Sequence, residues 1–190
     1  MSKLTKLKWS IKKAPSLAKL KAALKKLDEG LLYSGCHAPY HGKFCLLEFR
    51  GVLTGVSTVC KPKVYNKLET READKLVLTD SFIKVDFPEL RGLNDSYPSN
   101  LKGNKARTKA LLPVLQALWT YNHWTKVRAK RFSLRLQGGL RAAFPHAVLD
   151  PEGRLSDLVE DTLRVAGSNI PKLNKIAAII VKAAKESVSR

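Results

Sequence analysis

The stretch "ARTKALLPVLQALWTYNHWTKVRAKRFSLRLQ", residues 106–137, carries a helical pattern along its whole length. A periodicity sustained that long commits this part of the chain to α structure. Pro113 falls inside it, and a proline lacks the N–H that an interior turn of a helix needs. It must therefore begin a helix or kink one. Gly138 and Gly139 end the run.

Shorter stretches repeat the pattern. In "SLAKLKAALKKLDE" (16–29), Leu17, Leu20, Leu24 and Leu27 fall on one stripe, with lysines around the rest. Ser16 is placed to cap this helix and Gly30 to end it. The leucines are expected to dock it on a core, because their burial outweighs the value of exposed charge. The competing reading is a basic amphipathic helix lying on a nucleic acid or an anionic membrane. "KFCLLEFRGVLTGV" (43–56) is apolar around most of its circumference, the mark of a central helix. A helix is also expected over 68–84, although "KLVLTDSFIKVDF" alternates like a strand. "RGLNDSYPSNLKGNK" (91–105) is rich in turn residues and reads as a long loop.

Near the end, "RLSDLVEDTLRVAG" (154–167) stops at Gly167, and Asn169 with Pro171 opens a last helix. On that helix Leu173, Ala177, Ile180 and Ala184 line up, with Lys172, Lys175, Lys182 and Lys185 around them. The spacing is close to a helix-turn-helix, but the second helix is too apolar for a recognition helix. The fold class is therefore mainly α: a compact bundle of about six helices with long loops and a basic N-terminal arm. Residues 1–30 form the arm and its amphipathic helix, and residues 31–190 form one helical domain ending in a hairpin over 154–187.

The charge is lopsided. Lys and Arg number 35 against 16 Asp and Glu, for a net charge of +19. Such an excess points to a polyanionic partner: DNA, RNA, an anionic membrane surface or an acidic protein. Between Asp95 and Asp150 there is no acidic residue at all. A merely solvated face would mix both signs, so this gap favours contact with a phosphate backbone. The cations within it are Lys102, Lys105, Arg107, Lys109, Lys126, Arg128, Lys130, Arg131, Arg135 and Arg141. Arg128, Arg131 and Arg135 sit at helical spacings of three and four, a stripe able to follow phosphates. Trp124 is a candidate for stacking on bases, whereas Trp119 reads as core. The N-terminal stretch "MSKLTKLKWSIKKAPSLAKLKAALKKL" adds nine lysines without an acid. Lys12, Lys13, Lys19, Lys25 and Lys26 are its candidate contacts. It contains no Arg, which transit peptides favour, so it is read as a retained arm. "IAAIIV" (176–181) is far short of the roughly 20 apolar residues a membrane span needs, so no transmembrane segment is expected.

Three cysteines, with no secretory signal, suit a reducing compartment rather than a disulfide framework. "CHAPYHGKFCLLE" (36–48) nevertheless gathers Cys36, His37, His41, Cys45 and Glu48, with Cys60 beyond it. These are zinc-ligand types, but the spacing of paired Cys, a spacer and paired His is missing, and adjacent Cys36 and His37 rarely hold one ion. Cys45 near a helix N-terminus is positioned as an activated thiol would be, but such a thiol also needs a histidine such as His123 or His146 and an orienting group. A small buried hydrophobe is the plainer role for it. Glu48, three residues on, faces solvent or pairs with a cation. There is no glycine-rich phosphate loop and no catalytic carboxylate pair, so no metal and no cofactor are expected.

The segment "GKFCLLE" (42–48) resembles the Gly-x-Met-Cys-x-Met-Glu core of a group of small uncharacterised proteins from bacteria, notably actinobacteria, and their phages. "LNDSYPSN" and "LLPVL" resemble the Asn-Asp and leucine-proline blocks that follow it in that group. The resemblance implies a bacterial or phage origin and a helix motif at Cys45 and Glu48, and it carries no function. The sequence thus leads to a non-enzymatic, phage-encoded, DNA- or RNA-binding protein of a bacterial cytoplasm or a virion, with little sequence preference. The alternatives are an interaction protein for an acidic partner, such as a virion component or a host enzyme to be inhibited, and an enzyme using Cys45.

Overall fold

Most helices here start where a side chain can hold the first turn. The side-chain oxygens of Ser16, Asn100, Thr125 and Asn169 accept N–H bonds from Lys19, Gly103, Arg128 and Lys172 at 3.3, 2.8, 3.2 and 3.0 Å. Each satisfies a donor that an uncapped helix would leave open, worth about 1 kcal/mol. In the computed structural model, which describes residues 9–27, 29–34, 43–54, 89–147 and 154–188, these caps open four of seven α-helices. They are α1 (Leu17–Leu27), α2 (Leu46–Thr54), α3 (Glu89–Ser96), α4 (Leu101–Leu118), α5 (Lys126–Ala143), α6 (Leu155–Ala166) and α7 (Ile170–Glu186). Short 3-10 turns at Tyr121–His123 and Pro145–Ala147 follow α4 and α5. The described residues hold no strand, only a lone bridge between Leu32 and Phe44.

The bundle is built around α7. Its Leu173, Ile176, Ala177, Ile180, Ala183 and Ala184 are buried, and it packs along α4 and α5 and also touches α3 and α6. It runs antiparallel to α5. Arg128 reaches Ser187 at one end, and Lys175 donates to the carbonyl of Ala143 at the other. One turn in from that second end, a Cβ at Gly139 would lie 2.7 Å from Cγ2 of Ile179. That contact explains why α5 does not stop at Gly138 and Gly139, as expected, but continues to Ala143: the missing side chain lets the two helices approach.

Two further boundaries differ from the sequence reading. The stretch 106–137 is two helices, parted at Thr120–Thr125, where the Thr125 hydroxyl caps α5. Pro113 lies inside α4 rather than at its start. The supposed loop 91–105 is mostly helix, with α3 ending at Ser96 and α4 starting at Leu101 behind the Asn100 cap. Gly103 is tolerated there because it is required: a Cβ on it would overlap the carbonyl group of Pro98. The helix expected over 68–84 lies outside the described residues.

α1 docks by its leucines. Leu20 and Leu24 are fully buried, and α1 packs on α4, each leucine contributing about 1.5–3 kcal/mol. The Ser16 cap and the positive φ of Gly30, 84°, bound it as expected. The chain before it is tied down as well. Trp9 donates its N–H to the carbonyl of Leu53, the Trp119 indole to that of Ser10, and the Gln116 amide to that of Pro15. The core residues of α1 belong to the same cluster as those of α2 to α7.

Candidate nucleic-acid interface

The cations of the acid-free region divide by helical angle. On α4, Lys102, Lys105 and Lys109 are spaced by three and four and are all exposed. Gln116, which holds Pro15, continues the same stripe seven residues beyond Lys109. The described part of the arm, with Lys12 and Lys13 exposed, therefore meets this stripe at its far end. Lys19, Lys25 and Lys26 are exposed on α1. On α5, Lys126, Lys130, Arg131 and Arg135 are exposed, and Val127 and Leu134 stand among them at 59% exposure each, enough to show that no described element covers this face. Neither α4 nor α5 contains an acid.

Arg107 does not belong with them. It is fully buried, and its guanidinium faces the interior. Nε donates to the carbonyl of Asn94 at 2.8 Å. Nη1 donates to that of Leu32 at 3.1 Å and to Oδ1 of Asn104. Nη2 donates to the carbonyls of Tyr97 at 2.7 Å and Pro98 at 3.5 Å. Burial pushes its pKa down, opposed by the charge of Asp95. All five donors are used, so Arg107 presents nothing to a phosphate. It holds together α3, the turn into α4 and the segment at Leu32.

Trp124 is also placed differently from a stacking platform. Arg128 lies over its ring at 3.8 Å, while Tyr121 and Phe132 pack against it at centroid distances of 4.9 and 5.6 Å. Its indole N–H donates to Thr120. One face of the ring is thus taken by a cation, which leaves Trp124 as the support for Arg128 rather than a seat for a base. Arg128 itself is partly buried, its pKa lowered by that burial, and it donates to Ser187 Oγ at 3.3 Å. Arg135 pairs with Glu186 at 3.1 Å. Arg128 and Arg135 therefore lean toward the end of α7, while Lys126 and Lys130 are exposed. Trp119 is fully buried, as its spacing implied.

A groove of about 620 Å³ opens between α4 and α7. Ala110, Pro113, Ala177, Ala178 and Val181 line it, and Lys109, Lys182, Lys185 and Glu186 stand along it. Lys182 and Lys185 were not among the candidates drawn from the sequence. Their signal was present in the lysine-rich, nearly acid-free composition of α7, but it became a site only when α4 was laid alongside.

The cysteine motif resolves into a helix start. The N–H of Cys45 donates to Oε2 of Glu48 at 2.8 Å, and the N–H of Glu48 donates to Sγ of Cys45 at 3.4 Å. This is a capping box with a thiol in the usual place of a hydroxyl. Glu48 is partly buried, and the exchange with Cys45 anchors its carboxylate. Asn94 then joins the start of α2 to α3 and to the segment at Tyr33. Its Oδ1 accepts from the N–H of Leu46, and its Nδ2 donates to the carbonyl of Tyr33. Cys36, His37, His41 and Cys60 lie outside the described residues, among which no cluster of metal-ligating side chains occurs. No described helix is long and apolar enough to cross a membrane. Comparison with protein-family models, curated proteins and solved structures gives no match.

Proposed function

We propose that the protein is a non-enzymatic nucleic-acid-binding protein that contacts phosphates through the exposed cations of α1, α4 and α5. One observation carries this reading: Lys102, Lys105 and Lys109 on α4, and Lys126, Lys130 and Arg131 on α5, are exposed on two helices that contain no acid. Lys102 to Lys109 cover about 10 Å along α4 at 1.5 Å per residue. Lysine contacts of this kind neutralise phosphates and release counterions without reading bases. With Trp124 capped by Arg128, stacking adds little, and duplex and single-stranded forms are bound by the same charges. The setting that goes with this reading is the cytoplasm of a bacterial host or a virion.

The thiol-enzyme alternative has less support. Cys45 is buried, and its sulfur is occupied in the capping box, where it accepts the N–H of Glu48.

The test is the salt dependence of binding to a labelled duplex and to an RNA hairpin. Six neutralised phosphates give a slope of about −5 in log affinity against log salt on duplex DNA. Affinity that hardly changes between low and high salt would remove the reading.

A further inference from the structure

The groove between α4 and α7 has features that phosphate contact does not call for. Its floor, with Pro113, Ala178 and Val181, is apolar, and none of the described residues lining it is aromatic. A base would find nothing to stack on there. Three lysines stand along it. Lys182 lies 3.9 Å from Glu186, while Lys109 and Lys185 form no ion pair among the described residues.

The geometry points to a docking site for an acidic amphipathic helix of a partner protein, with its apolar side chains on the floor and its carboxylates toward Lys109, Lys182 and Lys185. Charge selects this occupant. A second copy of the chain would bring its own +19 and the same lysines, and like charges facing each other oppose association. A nucleic acid would satisfy the lysines but leave the apolar floor in water or against sugar. An acidic amphipathic helix meets both at once, which is the helix-in-groove mode of recognition. Length agrees as well. Residues 174–185 of α7 extend about 16 Å, which matches three turns of a docked helix and anchors at i, i+4 and i+7. The small side chain of Ala178 lets the partner backbone come close. The groove shares Lys109 with the phosphate-contacting stripe of α4, and its Glu186 pairs with Arg135 of α5. Its apolar floor and Lys185 lie outside that set of phosphate contacts, so the docking site does not rest on the nucleic-acid reading.

The experiment measures fluorescence anisotropy of the full-length protein with a labelled synthetic 15-residue peptide that has leucines at i, i+4 and i+7 and glutamates on its other faces. A scrambled peptide of the same composition and a labelled DNA duplex run in parallel. The patterned peptide is expected to bind about tenfold tighter than the scrambled one. Ala178→Trp, a surface change that fills the floor, and Lys185→Glu, which reverses one rim charge, should each weaken the patterned peptide about tenfold and leave the duplex within about twofold. The two peptides binding equally would overturn the proposal, as would a peptide affinity indifferent to Ala178→Trp. Duplex binding that falls in step with peptide binding in both variants would assign the groove to nucleic acid instead.

Discussion

Arg107 has five N–H donors and five oxygen partners, and none of those oxygens belongs to a carboxylate. Such a cation is stabilising only as part of its set of acceptors, because a buried acceptor left without a donor costs about 1–3 kcal/mol. Arg107→Lys supplies three donors in place of five and is expected to lower unfolding free energy by about 2 kcal/mol or more, read by urea denaturation. The salt slope of DNA binding should not move, whereas a true phosphate contact would reduce it by about one unit. Tyr97 lies under the same guanidinium. Burial pushes its pKa well above the ordinary tyrosine value of 10.0, the Arg107 charge opposing. Folding thus favours the protonated phenol. Stability is full below pH 10 and falls as pH rises, because above 10 the unfolded chain has already lost the proton that the folded chain keeps. Tyr97→Phe, which loses the bond to Asn174 Oδ1, should cost about 1 kcal/mol at pH 7. It should also flatten the alkaline decline in thermal melts run from pH 8 to 11. A decline as steep in Tyr97→Phe as in the parent would assign the effect to other groups. The inward turn of Arg107 had a trace in the sequence. Arg107, Leu111, Val114 and Leu118 share the apolar stripe of α4, while the lysines lie on another. A helix started at Ala106 leaves Lys102 and Lys105 in a loop, so the separate lysine stripe that sets Arg107 apart does not show.

At the scale of elements, the readable boundaries were those set by local chemistry. Gly167 with a φ of 52°, the Asn169 cap and Pro171 delimit α6 and α7 without help from the rest of the fold. The boundaries that went wrong depend on close approaches from outside the helix itself: Gly103 against the carbonyl of Pro98 in the turn before α4, Gly139 against Ile179 of α7. The glycine pair in α5 makes the distinction measurable. A Cβ at Gly138 would meet nothing within 4 Å, so Gly138→Ala should raise stability by about 0.5–1 kcal/mol through helix propensity. Gly139→Ala should instead lower it by about 1–3 kcal/mol, since the new methyl group forces α5 from α7. Equal effects of the two, in chemical denaturation, would mean that the helices are not in close approach there. The start of α5 carries another signature. Lys126 and Arg128 occupy its first turn and no acid does, the unfavourable arrangement for a helix dipole. Lys126→Glu is expected to stabilise the fold by about 0.3–1 kcal/mol while weakening binding to duplex DNA at low salt. A variant that is more stable and binds as tightly would show that Lys126 faces no phosphate.

For the whole molecule, charge is sorted by element. The acids of α6, Asp157, Glu160 and Asp161, are partly matched by Arg154 and Arg164 next to them. Those cations therefore add little to the surface field, and α1, α4, α5 and α7 carry most of the excess. A net charge of +19 on 190 residues repels itself in the folded state more than in the expanded one, and salt screens that repulsion. The same salt weakens contacts with phosphates. The free protein should therefore melt at higher temperature as salt is raised, while the gain in melting temperature on adding duplex DNA should shrink. At low salt, ligand at 100 times its Kd stabilises the fold by about 2.7 kcal/mol. At about 0.5 M salt, where the Debye length is only a few ångströms, that gain should be close to nothing. Scanning fluorimetry of the protein with and without duplex, across one salt series, gives both curves. They must approach each other if phosphate contact is what the lysines are for. Should the duplex leave the melting temperature unchanged even at the lowest salt, the excess charge serves some other partner, and the peptide groove on α4 and α7 becomes the leading site.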